Sequence, residues 1–215
     1  MAQSDHDHSS DQDQDQSIRL RARELEIVIG HLPPGPRNDL TDVGGVQVGH
    51  STIIRGEGKH VPGTGPVRTG VTVVLPHAGD IWNDRPSAGF FSLNGCGEVC
   101  GAQWINESGA LEGPIALTNT HSVGDVSRAL TEWMLNKYPT IGLQDDASLP
   151  VIGECDDSQL NDLHGFHVGK EHVMHAINEA QQGGSVAEGA VGAGTGMTCY
   201  GFKGGIGSAS RIVSI

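Results

Sequence analysis

The 215-residue chain is long enough to bury the core of a single domain without disulfide or metal staples. Its 32 glycines, against 4% aromatic residues, indicate many tight turns, and the absence of a triplet period excludes a collagen-like chain. The formal net charge of −13 would repel polyanions, so we expect no nucleic-acid partner.

The N-terminal segment, residues 1–17, consists mainly of Asp, Gln, His and Ser and predicts a disordered acidic tail, because it offers little apolar surface to bury. We expect residues 18–215 to form a single α+β domain. There is no signal-peptide pattern, and no apolar run approaches the ~20 residues of a membrane span. The four cysteines form no CxxC pair and are expected to be reduced thiols. These features predict a cytoplasmic protein without a membrane partner.

The predicted elements alternate between strands and helices. Runs of β-branched and apolar residues predict strands, of which the first two are paired, over residues 43–50, 51–54, 71–75, 115–117 and 150–153. Apolar residues at helical spacing predict helices from Val126 to Met134 and from Val173 to Ala180. This order predicts an α+β fold with helices layered on a sheet.

The C-terminal residues 208–215 have the pattern of the start of a β-strand, with no turn signal or cap after them. A domain rarely ends on an apolar strand that has no partner. The ending therefore predicts a domain that is truncated at its C-terminal end.

A glycine-dense segment runs from Gly189 to Gly207. Glycines leave backbone N–H groups unshielded, which suits an anion or oxyanion cradle, although a structural turn explains them as well. Lys203 is misplaced for a Walker phosphate loop and is not followed by Ser or Thr. A dinucleotide fingerprint also fails, because the glycines follow a helix instead of a strand.

Glu154 is the acid of greatest interest, because it follows the apolar residues Val151 and Ile152. A carboxylate at the end of a buried strand can face a cleft and bind a substrate ammonium through a charge-assisted hydrogen bond. The alternative is a solvated or capping glutamate. Asn94, in the loop Asn-Gly-Cys-Gly-Glu, can supply a polar contact or simply form a turn.

The histidines are numerous but lack the context of a metal centre. His164 and His167 are three residues apart, and His172 and His175 repeat that spacing. No Glu-x-x-His or His-Glu-x-x-His element accompanies them, so we expect no metal and no cofactor. There is also no Gly-x-Ser-x-Gly elbow for a hydrolase nucleophile, and the residues alone leave the mechanism open.

Several motifs together resemble the DmpA/BapA family of L-aminopeptidase/D-esterases and β-peptidyl aminopeptidases. They occur in family order at residues 38–50, 68–72, 94–98, 113–118, 160–162 and 188–211. The resemblance implies a four-layer α/β/β/α sandwich of the N-terminal-nucleophile type, usually assembled into oligomers. It also implies that the protein hydrolyses N-terminal residues from small peptides, amides or esters.

In this family a precursor cleaves itself before a serine, which becomes the first residue of a β-chain and acts as nucleophile. That serine lies beyond the position matching Ile215. The resemblance thus implies an α-side without a catalytic residue, inactive until it joins the missing C-terminal β part. A non-catalytic truncated homologue that binds or assembles is the alternative.

The candidate substrate-binding residues are Glu154, Asn94, Gly194 and Gly196. The resemblance implies that Glu154 grips the free amine of the substrate and that the glycines shape the pocket wall. Some relatives have a tyrosine at the site where this chain has Asp156. The preference for L, D or β residues therefore stays open.

Overall fold

The computed structural model describes residues 20–214 of a chain that forms two units, Met1–Leu32 and Pro33–Ile215. The described part of the first unit contains one 3-10 turn, Ala22–Leu25. The predicted disordered tail over residues 1–17 lies outside the described residues. The single domain over 18–215 stays a prediction.

The second unit is built on a five-stranded mixed sheet. Its strands are β1 (Gln47–Arg55), β2 (Val67–Leu75), β3 (Val99–Cys100), β4 (Ile115–Asn119) and β5 (Val151–Cys155). The spatial order is β1-β2-β4-β5-β3, with β4 and β5 parallel and the other pairs antiparallel. A small antiparallel hairpin follows near the C-terminus, formed by β6 (Thr198–Cys199) and β7 (Phe202–Lys203).

Three α-helices accompany the sheet: α1 (Ala102–Ser108), α2 (Val123–Lys137) and α3 (Lys170–Gln182). The main core combines buried residues of α2 and α3 with Val71, Val73 and Ile152 of the sheet. Full burial of each large aliphatic side chain contributes about 1.5–3 kcal/mol, so this helix-on-sheet layer supplies most of the driving force for folding. The α2 helix lies between β4 and β5 in the chain, as the crossover of a parallel strand pair requires.

The predicted pair of strands over 43–50 and 51–54 is wrong, because β1 is one continuous strand that pairs along its whole length with β2. Gly49 lies within it. A Cβ at this position would overlap the backbone of Ala176 and Ala180, so the glycine lets α3 approach the sheet closely instead of turning the chain.

The other predicted elements agree with the structure in kind. The strands predicted over 71–75, 115–117 and 150–153 correspond to β2, β4 and β5, and the two predicted helices correspond to α2 and α3. Gly183 follows the last residue of α3, as a helix stop signal predicts.

The strand expected over residues 208–215 does not form in the part that is described, up to residue 214. The Ile212 N–H donates to the Pro33 carbonyl oxygen at 2.8 Å. Pro34 and Pro36 follow the accepting residue and have no N–H group, so this neighbouring segment cannot supply a strand ladder. Within residues 20–214, no helix has the length and apolar character needed to cross a membrane.

Candidate active site

The parallel pairing of β4 and β5 brings their carboxyl ends to the same edge of the sheet. Thr118 pairs with Glu154 and Asn119 with Cys155. Beyond Asn119 the chain turns through the 3-10 helix Thr120–Ser122 into α2. Polar residues from two distant sequence segments therefore meet at this edge.

Glu154 occupies this edge with its side chain half-buried. The hydroxyl of Thr120 donates a short hydrogen bond to its Oε1 atom. The Glu154 N–H donates to the Glu98 carbonyl at 2.9 Å, which extends the β3–β5 pairing by one residue. A carboxylate that is held in place and still reaches solvent can accept a charge-assisted hydrogen bond from a cation.

A buried polar network lies next to Glu154 in the chain. Asp157 is 1% exposed, and its Oδ1 accepts from Asn161 Nδ2 at 3.0 Å. Asn161 in turn accepts from the Arg68 N–H at 3.1 Å, and Asn119 Nδ2 donates to Thr69 Oγ1 at 2.9 Å. These bonds tie β2, the end of β4 and the segment after β5 into one framework.

Burial controls the titration of two groups beside Glu154. It raises the pKa of the Cys155 thiol to about 11, and the negative charges of Glu154 and Asp157 act in the same direction. The thiol therefore stays protonated at neutral pH and is not an activated nucleophile. Burial also raises the pKa of the Asp157 carboxyl, although hydrogen bonds from Thr69 and Asn161 oppose the shift. Among residues 20–214, the Oδ2 atom of Asp157 has no hydrogen-bond partner with standard geometry.

The glycine-dense segment packs against the face of the sheet that Gly70 occupies. Several of its N–H groups already have partners: Gly192 donates to Thr52 Oγ1 at 2.8 Å, and Ala193 donates to Thr72 Oγ1 at 3.2 Å. The N–H of Gly194 donates to the Val191 carbonyl at 2.9 Å. These contacts favour the structural-turn interpretation of the segment over an anion cradle at these three positions.

Gly196 lies closer to the strand ends than Gly194 does. A Cβ at Gly196 would overlap the Arg68 carbonyl oxygen and lie 3.0 Å from Asp157 Cβ. Gly194 packs instead against the backbone of Gly189 and Ile206. Gly196 is thus in contact with the framework beside Glu154, and the role of either glycine in substrate binding stays a prediction.

Asn94 lies in an exposed loop. Its Oδ1 accepts from the N–H groups of Cys96 at 2.9 Å and Gly97 at 3.3 Å, which is the turn that the sequence left as an alternative. The loop leads directly to Glu98, whose carbonyl is bonded to Glu154. Asn94 is therefore connected to the site through the backbone, and its contact with a substrate stays a prediction.

Sequence reasoning missed Thr120 and the buried members of the network. Thr120 follows the β4 strand, and an Asn-Asp pair such as Asn161-Asp162 is typical of a turn or helix cap. Asp162 does cap the 3-10 helix Leu163–Gly165 through a bond from the His164 N–H, whereas Asn161 belongs to the network. The available signal was the run of polar residues directly after the apolar strand at 115–117.

The family model described as peptidase family S58 matches residues 38–215, which include every part of this site. This chain belongs to peptidase family S58. The match confirms the resemblance that the sequence motifs indicated.

Two curated relatives are β-peptidyl aminopeptidases BapA. The protein from Sphingosinicella microcystinivorans is 48% identical over 183 residues, which are 85% of this chain and 44% of that protein. The protein from Sphingosinicella xenopeptidilytica is 48% identical over 181 residues, again 44% of its length. The chain thus spans less than half the length of the curated relatives that it matches.

Solved structures show the same fold. The PH0078 protein from Pyrococcus horikoshii OT3 superposes with a TM-score of 0.87 at 50% identity, covering 91% of this chain and 55% of that one. The L-aminopeptidase D-Ala-esterase/amidase from Ochrobactrum anthropi gives a TM-score of 0.79 at 40% identity, covering 91% of this chain and 53% of that one. The latter is described as a variant of the Ntn hydrolase fold. The predicted fold class, α+β and part of an N-terminal-nucleophile-type sandwich, is confirmed.

Proposed function

We propose that this chain is the α-side of a self-processing serine aminopeptidase and that Glu154 binds the ammonium group of the substrate. The observation that carries the proposal is the Glu154 carboxylate, half-buried at the joined ends of β4 and β5 and held by Thr120. Membership of peptidase family S58 and the aminopeptidase names of the relatives support the reaction class.

On this proposal Glu154 fixes the register of cleavage. A carboxylate that grips the free amine places the first peptide bond of the substrate at a constant distance from the site. A serine hydroxyl supplied by a further segment then attacks the carbonyl carbon of that bond. The C–N bond breaks, the amine leaves with a proton, and water hydrolyses the acyl-enzyme ester and restores the serine. The chain alone is inactive.

The length of the relatives supports the need for a further segment, since the chain covers 44% of the curated proteins and 53–55% of the solved ones. The substrates proposed are small peptides, amides or esters with a free N-terminus. A homo-oligomer is also proposed, because large apolar side chains are exposed on the described surface, among them Phe91, Leu93, Leu143 and Tyr200.

The proposal is tested first on the natural protein by intact-mass measurement and N-terminal sequencing, together with p-nitroanilide aminopeptidase assays. We expect a second chain that begins with serine to co-purify and activity against substrates with a free amine. A single, unprocessed and inactive chain would overturn the enzyme proposal and leave the non-catalytic homologue as the better description.

The role of Glu154 is tested by Glu154→Gln, which removes the charge and keeps the size. A hydrogen bond to a charged group contributes about 1.5–3 kcal/mol, so kcat/KM for free-amine substrates should fall roughly 10–100-fold. The matched control is Glu107→Gln on the exposed face of α1, which should leave kcat/KM unchanged. An equal fall in both variants, or none in Glu154→Gln, would exclude the proposed role.

A further inference from the structure

A second polar cluster, separate from the strand ends, joins two histidines to one aspartate. His60 lies in the loop between β1 and β2, Asp162 precedes the 3-10 helix Leu163–Gly165, and His164 lies in that helix. His60 Nε2 is 3.1 Å from Asp162 Oδ1, and His164 Nδ1 is 3.8 Å from the same oxygen. The three ligand atoms all lie within 4.8 Å of one another.

The distance from His60 to Asp162 is near that between two ligand atoms of one metal ion, and the distance from His164 to Asp162 is longer. Zinc binds imidazole nitrogen and carboxylate oxygen at about 2.0–2.2 Å, so neighbouring ligand atoms of a tetrahedral site are roughly 3.3 Å apart. The two measured separations lie on either side of this value. Two imidazoles and one carboxylate also form a donor set that suits zinc and other late first-row divalent ions.

The aspartate is already oriented by a second residue pair. Arg55 Nη2 lies 2.9 Å from His167 Nδ1, and His167 Nε2 lies 3.0 Å from Asp162 Oδ2. An arginine can only donate, so His167 Nδ1 must accept, and its Nε2–H must donate to the carboxylate. His167 is therefore a positioning residue of the kind that stands behind a metal ligand. It binds Oδ2, and Oδ1 is the oxygen that lies near the other two histidines.

Capping alone does not explain the cluster. The N–H groups of Gly63 and His164 donate to Asp162 Oδ1 at 3.0 and 3.2 Å, which accounts for the buried carboxylate. It does not account for the imidazole of His60, which reaches the same oxygen from a loop 102 positions away in the sequence. The side chains of His60 and His164 are 49% and 68% exposed, so an ion can reach them from solvent.

We propose that His60, Asp162 and His164 form a binding site for one divalent transition-metal ion of the zinc class. The ion would connect the β1–β2 loop to the segment between β5 and α3. The site is independent of the proposed aminopeptidase activity. It also departs from the expectation of no metal. That expectation considered only histidines that are near one another in the sequence, and His60 is 102 positions from Asp162.

The test is calorimetric titration of Zn²⁺ into the full chain, purified without a histidine tag. The background carries His6→Gln and His8→Gln, which removes the tail histidines as competing ligands. We expect one saturable site per chain. Each of His60→Gln and His164→Gln should weaken it by at least about tenfold, and His167→Gln by about 10–100-fold. His31→Gln, at an exposed position in the other unit, is the matched control and should bind as the background does.

Two further measurements keep the test independent of folding defects. Zn²⁺ should raise the melting temperature of the background protein, and the rise should vanish in the His60→Gln/His164→Gln double variant. With Co²⁺, the visible spectrum should show tetrahedral d–d bands without thiolate charge transfer, which excludes Cys96 and Cys100 as ligands. The absence of a saturable site in the background protein, binding that persists in both single variants, or a thiolate band would overturn the proposal.

Discussion

A substitution at Gly196 tests whether the glycine-dense segment packs directly on β2 beside the candidate site. In Gly196→Ala, the new methyl group would overlap the Arg68 carbonyl oxygen, so the segment or β2 must move by about 1 Å or more to restore ordinary contact. The Arg68 backbone is held by its pairing with Ile54 and by Asn161. The segment must therefore yield.

The movement has a cost that the structure lets us estimate. Lifting the segment breaks the bonds from Gly192 to Thr52 and from Ala193 to Thr72, at about 0.5–1.5 kcal/mol each. Overpacking adds about 1–3 kcal/mol, whereas the loss of glycine freedom in the unfolded chain returns about 0.4–1 kcal/mol. We expect a net loss of about 1–6 kcal/mol, which lowers the melting temperature by roughly 2–22 °C for a chain of this size.

Urea and thermal unfolding followed by circular dichroism measure this loss. Gly207→Ala is the matched control, because a Cβ at this exposed position in the same segment meets nothing within 4 Å. It should leave stability unchanged or raise it slightly. If Gly196→Ala and Gly207→Ala have the same melting temperature, the close packing of Gly196 on β2 is refuted.

Two further predictions concern titration next to Glu154. With a thiol pKa of about 11, Cys155 should react with iodoacetamide far more slowly at pH 8 than the exposed Cys96, as read by mass spectrometry; equal rates would contradict the burial argument. Because the folded state raises the pKa of Asp157, it binds a proton more tightly than the unfolded state, so this group lowers stability as the pH rises above its ordinary value of 3.8. Asp157→Asn should remove that fall and raise the free energy of unfolding at pH 7, and an unchanged pH profile in urea titrations would exclude this.

The fold shows which secondary-structure elements can be predicted from local sequence patterns. The apolar run of β2 and the helical periodicity of α2 and α3 predict their elements, because burial on a sheet or along one helix face sets the pattern directly. The glycines at and just before β1 have roles that no local pattern predicts. Gly45 has a φ of 88° and turns the chain, whereas Gly49 stands within a regular strand because α3 lies against it. Both glycines lie within one short stretch of sequence, but the local sequence does not show that one turns the chain and the other contacts a helix.

In the candidate site, too, some features follow from the local sequence and others depend on the tertiary fold. The position of Glu154 at a strand end was predictable, because an acid after a short apolar run marks such an end. Its partner Thr120 was not, since the pairing of Thr118 with Glu154 depends on the sheet order, which no local pattern determines. The 102 positions between His60 and Asp162 hid that cluster for the same reason.

Glu154 and Asp157 are three residues apart at one strand end and have opposite environments. This difference indicates that one carboxylate binds a ligand and the other stabilises the framework. Asp157 is buried, bonded to Asn161, and disfavoured as an anion, so it serves the framework between β2 and the segment after β5. Glu154 is half-exposed and bonded to Thr120, so its charge remains accessible to a cation from solvent. Glu154→Gln should therefore change substrate binding with little effect on stability, and Asp157→Asn should change the pH dependence of stability. If both variants altered the same property, the two carboxylates would belong to one functional group, and the division argued from burial would fail.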